Sequence, residues 1–204
     1  DEVVVTASRN ETNKRSSSTI VNISSAKLFE SVASTNLAES MNFQPGVRIE
    51  NNCGNCGTTQ LRINGLDGQY SQILLDSRPI FSSLAGVYGL EQLPVSMIER
   101  VEVVRGGGSA LFGSSAIGGV VNIITKEPLR NSATLGNITN ILPGGRTAIN
   151  TSINGSFVYE GNQAGVHLFG MVKNRQWYDH KDEAISDRPE ISSETVGFRS
   201  YYCL

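Results

Sequence analysis

The sequence predicts an α+β domain, a mixed twisted sheet carrying short helices, followed by a run of antiparallel β-strands. Three observations lead there. Residues 98–126 read as strand, glycine hinge, one helical turn, glycine pair, strand. Residues 127–204 change to long stretches of loosely alternating polarity. The chain also holds 21 glycines with 39% hydrophobic residues, a mixture that suits short strands and tight turns better than long helices.

Taken in order, residues 1–7 (DEVVVTA) are β-prone, and residues 8–18 are polar and linker-like. A strand follows over residues 19–23, with Ser24 or Ser25 able to cap a helical turn through residues 26–29. Residues 35–41 predict a second helix, with Leu37, Ala38 and Met41 on its apolar face. Pro45-Gly46 marks a turn, and strands are expected at residues 47–49, 60–63 and 72–76. In residues 98–126, Val101, Val103 and Val104 are β-branched and Glu102 sits at the opposite parity to the first two. Arg105 opens Gly106-Gly107-Gly108, where backbone can approach closely or take positive φ. Ser109 can cap a turn over residues 110–112, which Gly113 ends. Gly118-Gly119 then leads into the β-branched run of residues 120–125. Beyond residue 126, strands are expected over residues 134–141, 147–159 and 164–174, with a fourth starting near Thr195. Short connectors at residues 142–145 and 160–163 contrast with a long one at residues 176–194.

The net charge of −2 gives no electrostatic case for nucleic acid. No stretch approaches the roughly 20 apolar residues that a membrane helix needs. Barrel strands of about 10 alternating residues remain open. The chain opens on charged Asp1-Glu2 without a leader, so an exported protein is expected here in mature or trimmed form.

Catalytic motifs are absent. There is no G-x-S-x-G or H-E-x-x-H, and the triple glycine has no G-K-[ST] behind it to make a phosphate loop. Neither an enzyme nor a cofactor is expected. Cys53-Gly54-Asn55-Cys56 can be a redox pair, half of a zinc site or a tight disulfide. A zinc site would need distant ligands, so no metal is expected there. Asp179, Asp182, Glu183 and Asp187 read as a solvated acidic loop rather than a calcium site. Phe81 and Tyr88 sit in a loop of small residues, either as core staples or as a platform for a flat ligand with Arg78 near its polar arms. Taken alone, Arg62, Glu99, Glu102 and Arg105 read as ordinary surface charges.

The ordered strings ERVEVVRG, SALFG and GGVVNIITK within residues 98–126, with LRINGL at residues 61–66 and ILLDSRPI at residues 73–80, closely resemble the plug domain of TonB-dependent outer-membrane transporters. The resemblance covers residues 1–126. It implies a TonB box and linker at residues 1–18, a plug at residues 19–126, and the first strands of a truncated transmembrane barrel at residues 127–204. The protein would lie in a bacterial outer membrane, in contact with its lipid, with the TonB box facing the periplasm. Val3, Val4, Val5, Thr6 and Ala7 would then contact TonB by strand addition. Two apical loops would bind ligand through Asn51, Asn52, Cys53, Asn55, Cys56, Arg78, Phe81, Ser82 and Tyr88. In the oxidising compartment so implied, Cys53 and Cys56 are expected to form a disulfide that staples the first loop. Many family members lack these cysteines, and the loop is similar to a haem- and corrinoid-transporting subgroup. Haem or a corrinoid such as cobalamin is therefore expected as ligand, with a ferric siderophore as the alternative. A surface lipoprotein or haemoprotein is a further partner of the kind implied. Arg62, Glu102 and Arg105 would contact the barrel wall, the arginines pairing with its acidic residues. Four strands cannot close a barrel, so residues 132–204 are expected to pair with a second copy, to swap or to lack order, with Cys203 free to bridge two copies. The rival reading is a soluble secreted binding or adhesion module.

Overall fold

Strands β8 (Ile98–Arg105) and β9 (Gly119–Thr125) form the spine of the first part of the chain, pairing antiparallel with Val101 opposite Ile123, Val103 opposite Val121 and Val104 opposite Val120. The two strands read from residues 98–126 thus lie side by side in one sheet. In this computed structural model the described residues are 3–6, 12–16, 20–32, 34, 36–53, 58–80, 90, 93–107, 109–178 and 189–203. Before the spine come β1 (Val3–Val4), β2 (Thr12–Asn13), β3 (Val21–Ser25), α1 (Ala26–Ser31), α2 (Leu37–Met41), β4 (Val47–Cys53), β5 (Thr58–Ile63), β6 (Ser71–Leu75) and β7 (Arg78–Pro79). One turn of helix, α3 (Ser109–Phe112), links β8 to β9. The main sheet has the order β3-β8-β9-β6-β7, with β6 parallel to β9 and the other pairs antiparallel. Strands β4 and β5 form a separate hairpin.

Local choices explain these elements. Asn36 caps α2, its side-chain oxygen accepting from the Glu39 amide at 2.9 Å, so the helix begins at Leu37 and buries Leu37, Ala38 and Met41 as predicted. Gly119 has φ +147, and a Cβ there would stand 2.4 Å from the Val104 carbonyl oxygen. Only glycine lets β9 enter the sheet so close to β8.

Both faces of the main sheet are covered. One carries Val101, Val103, Val121, Ile123 and Ile73, packed with Phe29, Leu37, Met41, Leu61 and Ile63. The other carries Val21, Val104, Val120 and Leu74, packed with Phe112, Ala116 and Val4. Each of the valine, leucine, isoleucine, methionine and phenylalanine side chains among them contributes about 1.5–3 kcal/mol on leaving water. Coverage of both faces is why Val103-Val104 in β8 and Val120-Val121 in β9 are apolar at both parities rather than alternating.

The second part is a meander of β10 (Ser132–Ile141), β11 (Thr147–Val158), β12 (Ala164–Arg175) and β13 (Ile191–Tyr202), antiparallel in that order. Strand β13 begins at Ile191, earlier than the expected Thr195, because Lys173 opposite Ser193 and Arg175 opposite Ile191 extend its ladder with β12. Its two faces are unlike. Asn150, Asn154, Ser156, His167, Met171 and Lys173 are buried on the side turned to the first domain. Leu135, Ile153, Val166, Leu168, Val196 and Phe198 are exposed on the other. Strands of 10–12 residues with one apolar exposed face have the dimensions of barrel strands crossing a bilayer. Residues 132–175 and 191–202 thus form one sheet within a single chain, seated on the first domain by Phe169 and Arg199. Cys203 is a free, exposed thiol.

Candidate functional site

Four residues stand side by side across the second face of the main sheet. Ile23 of β3, Glu102 of β8, Asn122 of β9 and Leu74 of β6 are in mutual register. The inner pair is polar and fully buried, Glu102 and Asn122 each at 0% exposure. A buried carboxylate needs partners or it costs several kcal/mol. The N-terminal segment supplies them. Glu102 Oε2 accepts the Val5 amide at 2.9 Å, the Thr6 amide at 2.9 Å and the Thr6 hydroxyl at 2.7 Å. Its other oxygen accepts from Arg100 Nε at 2.9 Å. Asn122 Nδ2 donates to Thr6 Oγ1 at 3.0 Å. Val4, also at 0% exposure, plugs the adjacent apolar pocket of Val21, Leu74, Val104 and Val120. By contrast, the ladder of this segment is short: Val3 opposite Asn13 and Val4 opposite Thr12. Side chains hold the N-terminal strand on the domain more than a sheet does.

A second polar cluster joins the meander to the first domain. Arg199 of β13 donates to the Thr125 carbonyl at 2.8 Å, to Thr125 Oγ1 at 2.7 Å and to Glu127 Oε1 at 2.7 Å, with Asp76 Oδ1 at 3.4 Å. Asp76 in turn accepts the Thr125 amide at 2.9 Å and its hydroxyl at 2.7 Å. Further along the seam a cleft of about 900 Å³ separates the two parts, lined by Pro94, Glu99 and Arg130 on one side and Asn154 and His167 on the other. Within it Ser156 Oγ lies 2.8 Å from His167 Nδ1.

The expected site residues are distributed unevenly over this geometry. Val3 and Val4 form β1, Val5 and Thr6 continue the docked segment, and Ala7 lies outside the described residues. Asn51, Asn52 and Cys53 end β4, at a register shift between Asn51 and Cys53. Asn55, Cys56, Phe81, Ser82 and Tyr88, and with them the Cys53–Cys56 disulfide, lie outside the described residues, as does the acidic loop at residues 179–187. Arg78 is exposed on β7. The three residues expected at the barrel wall, Arg62, Glu102 and Arg105, have these surroundings within the first domain. Glu102 does not reach toward the meander, because its carboxylate is spent on Arg100, Val5 and Thr6. Arg62 pairs within its own domain, with Glu50 at 2.8 Å and Asp67 at 3.1 Å. Arg105 lies over Gly46, where a Cβ would come within 3.0 Å of its side chain. Among the described residues an arginine that does join the two parts is Arg199, on the meander, and the carboxylates it meets, Asp76 and Glu127, are on the first domain.

The family model for the TonB-dependent receptor plug domain matches residues 13–120. The vitamin B12 transporter BtuB of Vibrio cholerae serotype O1 is 33% identical over 132 residues, which are 65% of this chain and 22% of that transporter. The aligned stretch thus spans about a fifth of the length of the curated relatives. Among solved structures, the siderophore receptor PirA from Acinetobacter baumannii superposes with a TM-score of 0.78 at 22% identity, covering 89% of this chain and 29% of that one. The ferric yersiniabactin uptake receptor FyuA from Yersinia pestis does so with a TM-score of 0.71 at 17% identity, covering 91% and 29%. Both likenesses concern the fold, and they extend past the plug into the meander. With the plug motifs, the two-faced sheet and the family match in agreement, the chain belongs to the TonB-dependent receptors of the outer membrane and carries their plug domain.

Proposed function

We propose that this chain is the plug and opening barrel strands of a transporter that takes up a corrinoid such as cobalamin, or haem, and that residues 3–7 are the strand which TonB engages. The observation that carries the transport reading is the N-terminal strand itself. Its ladder is two residue pairs long and its main attachments are to two polar side chains, so it can leave without breaking the main sheet. An extended segment of this kind suits strand addition to a partner. The ligand reading draws on the 33% identity to a vitamin B12 transporter and on the NNCGNCG loop of residues 51–57. Work on the plug would come from TonB, and the chain itself would catalyse no reaction.

The test uses the full-length protein in cells that lack their own cobalamin, haem and siderophore receptors. Labelled cyanocobalamin or haem should accumulate, and a ferric siderophore should not. Val5→Pro removes a backbone donor and fixes φ, so uptake should fall to background while surface binding of ligand persists. Accumulation of the siderophore alone would replace the ligand assignment. Uptake that survives Val5→Pro would remove residues 3–7 from the TonB contact.

A further inference from the structure

A strand meant to stay docked is best held by apolar contacts, yet the middle of this dock is a carboxylate and an amide. We infer that Glu102 and Asn122 form a reversible dock for residues 3–6, and that the β6–β7 turn at Asp76 and Ser77 sets its strength. The inference rests on reading residues 3–7 as the TonB-contacting strand and adds to it how the strand is withheld.

The first half of the argument is solvation. When residues 3–6 leave, Glu102 and Asn122 exchange their bonds for water, and the anion keeps Arg100 at 2.9 Å. The vacated surface is therefore wettable at its centre, with only the Val4 pocket left apolar. Apolar residues at both positions would leave a sticky patch and favour permanent closure. A polar dock holds the strand by hydrogen bonds whose strength depends on alignment and which water can replace.

The second half is geometry. The turn between Leu75 and Arg78, which pair directly, has two residues, Asp76 and Ser77, at φ +47 and +65. Such a turn favours Asn-Gly, so two non-glycine residues in the left-handed region need outside support. Asn122 gives it: Oδ1 accepts the Ser77 amide at 3.0 Å, and Nδ2 donates to Ser77 Oγ at 3.1 Å. The same Nδ2 donates to Thr6 Oγ1, so one amide serves turn and strand together. Asp76 is tied to Thr125, which Arg199 of the meander grips. The turn opens the apical loop of residues 77–91, which the family resemblance assigns to ligand through Arg78, Phe81, Ser82 and Tyr88. A pull on β7 or a shift of the meander against Thr125 moves Ser77, turns the Asn122 amide and weakens the hold on Thr6. Glu102, Asn122 and Ser77 are thus positioning residues for the strand.

The test is hydrogen exchange by mass spectrometry on the intact receptor in lipid bilayers, with binding of the isolated periplasmic domain of TonB measured in parallel. Replacing a charged acceptor by a neutral one weakens the bonds it receives. Glu102→Gln should speed exchange of the Val5 and Thr6 amides by about tenfold, and Ser77→Ala by a few-fold, while the Val101 and Val103 amides of β8 exchange as in the wild type. If Glu102→Gln loosens β8 as well, Ser77→Ala, at the surface turn, decides. Faster exchange at Thr6 in that variant upholds the dock, and wild-type exchange overturns it. Wild-type exchange at Val5 and Thr6 in both variants likewise overturns it. Faster exchange without any gain in TonB binding would keep the dock and remove the TonB reading of residues 3–7.

Discussion

Strands β8 and β12 bury opposite things. On one side β8 turns Val101 and Val103 into an apolar core, and on the other it turns Glu102 and Val104 into a smaller one. Strand β12 turns His167, Met171 and Lys173 toward the protein and Val166, Leu168 and Val172 away from it. The first strand obeys the rule for a domain in water, with apolar groups inward. The second obeys the rule for a wall whose outer side is hydrocarbon and whose inner side is polar. The same chemistry of partition gives both patterns, because what differs is the medium on the far side of each strand.

Matched substitutions would break that comparison most directly. Ile123 lies at 0% exposure in the larger core and Ile153 at 61% on the outer face of the meander. Ile123→Ala should cost about 2–5 kcal/mol of stability. Ile153→Ala should cost under about 0.5 kcal/mol, as at an ordinary surface site. Denaturant titration of the chain in mild detergent would measure both. Equal costs would mean that the outer face is packed against protein.

A charge on the outer face sharpens the same point. Leu168 stands between Gly155 and Phe198 in the middle of the exposed apolar band. In the full-length protein in bilayers, Leu168→Arg should destabilise by about 2–4 kcal/mol, the magnitude expected near the bilayer midplane. In urea without lipid the same variant should behave nearly as the wild type. A loss of equal size in both media would place this face in contact with protein.

The seam between the two regions has its own steric rule. Phe169 faces inward and packs against the larger core of the first domain, and its cross-strand partner is Gly197. A Cβ at Gly197 would fall 2.3 Å from Phe169 Cζ, so the ring covers the bare backbone of β13. Gly197→Ala must displace the ring from the core edge, at a cost of about 1–3 kcal/mol. Restoring stability with Phe169→Leu in the same chain would tie the effect to this contact rather than to strand propensity.

Much of this was legible in the chain because glycines punctuate it. The β8–α3–β9 module, α2 and the meander strands follow from local patterns, and the plug motifs place them in order. Taken alone Glu102 reads as a surface charge, although the sequence carries a signal against that. It sits in a run that is apolar at both parities, Val101, Val103 and Val104, and Asn122 sits likewise within residues 120–124. A polar residue inside such a run is one whose face is covered, and its cover was the segment 96 residues earlier. Arg199 was harder to find. Its inward parity could be read from outward Phe198, but its partners Thr125 and Glu127 lie more than 70 residues away. The apical loops were assigned from likeness alone, and most of their residues lie outside the described structure.

The smallest expected effect concerns the charges at the seam. Arg199 bridges the meander to Glu127 at 2.7 Å, and their side chains are 30% and 54% exposed. Both ends see water, so the ion pair itself should contribute little, with a coupling of about 0.2–1 kcal/mol. A double-mutant cycle of Arg199→Gln and Glu127→Gln, read by denaturant titration, isolates that value from the other bonds of Arg199. The bonds to Thr125 belong to a single guanidinium nitrogen and survive in the Glu127→Gln variant. Arg199→Gln should therefore cost more than Glu127→Gln. Raising the salt from 0.1 to 1 M shortens the screening length to about 3 Å and should erase most of the coupling while leaving the Arg199→Gln cost largely in place. A coupling that stays near 1 kcal/mol in high salt would show Arg199 and Glu127 acting as a buried pair, and the seam would then be drier than the exposed arginine and glutamate suggest.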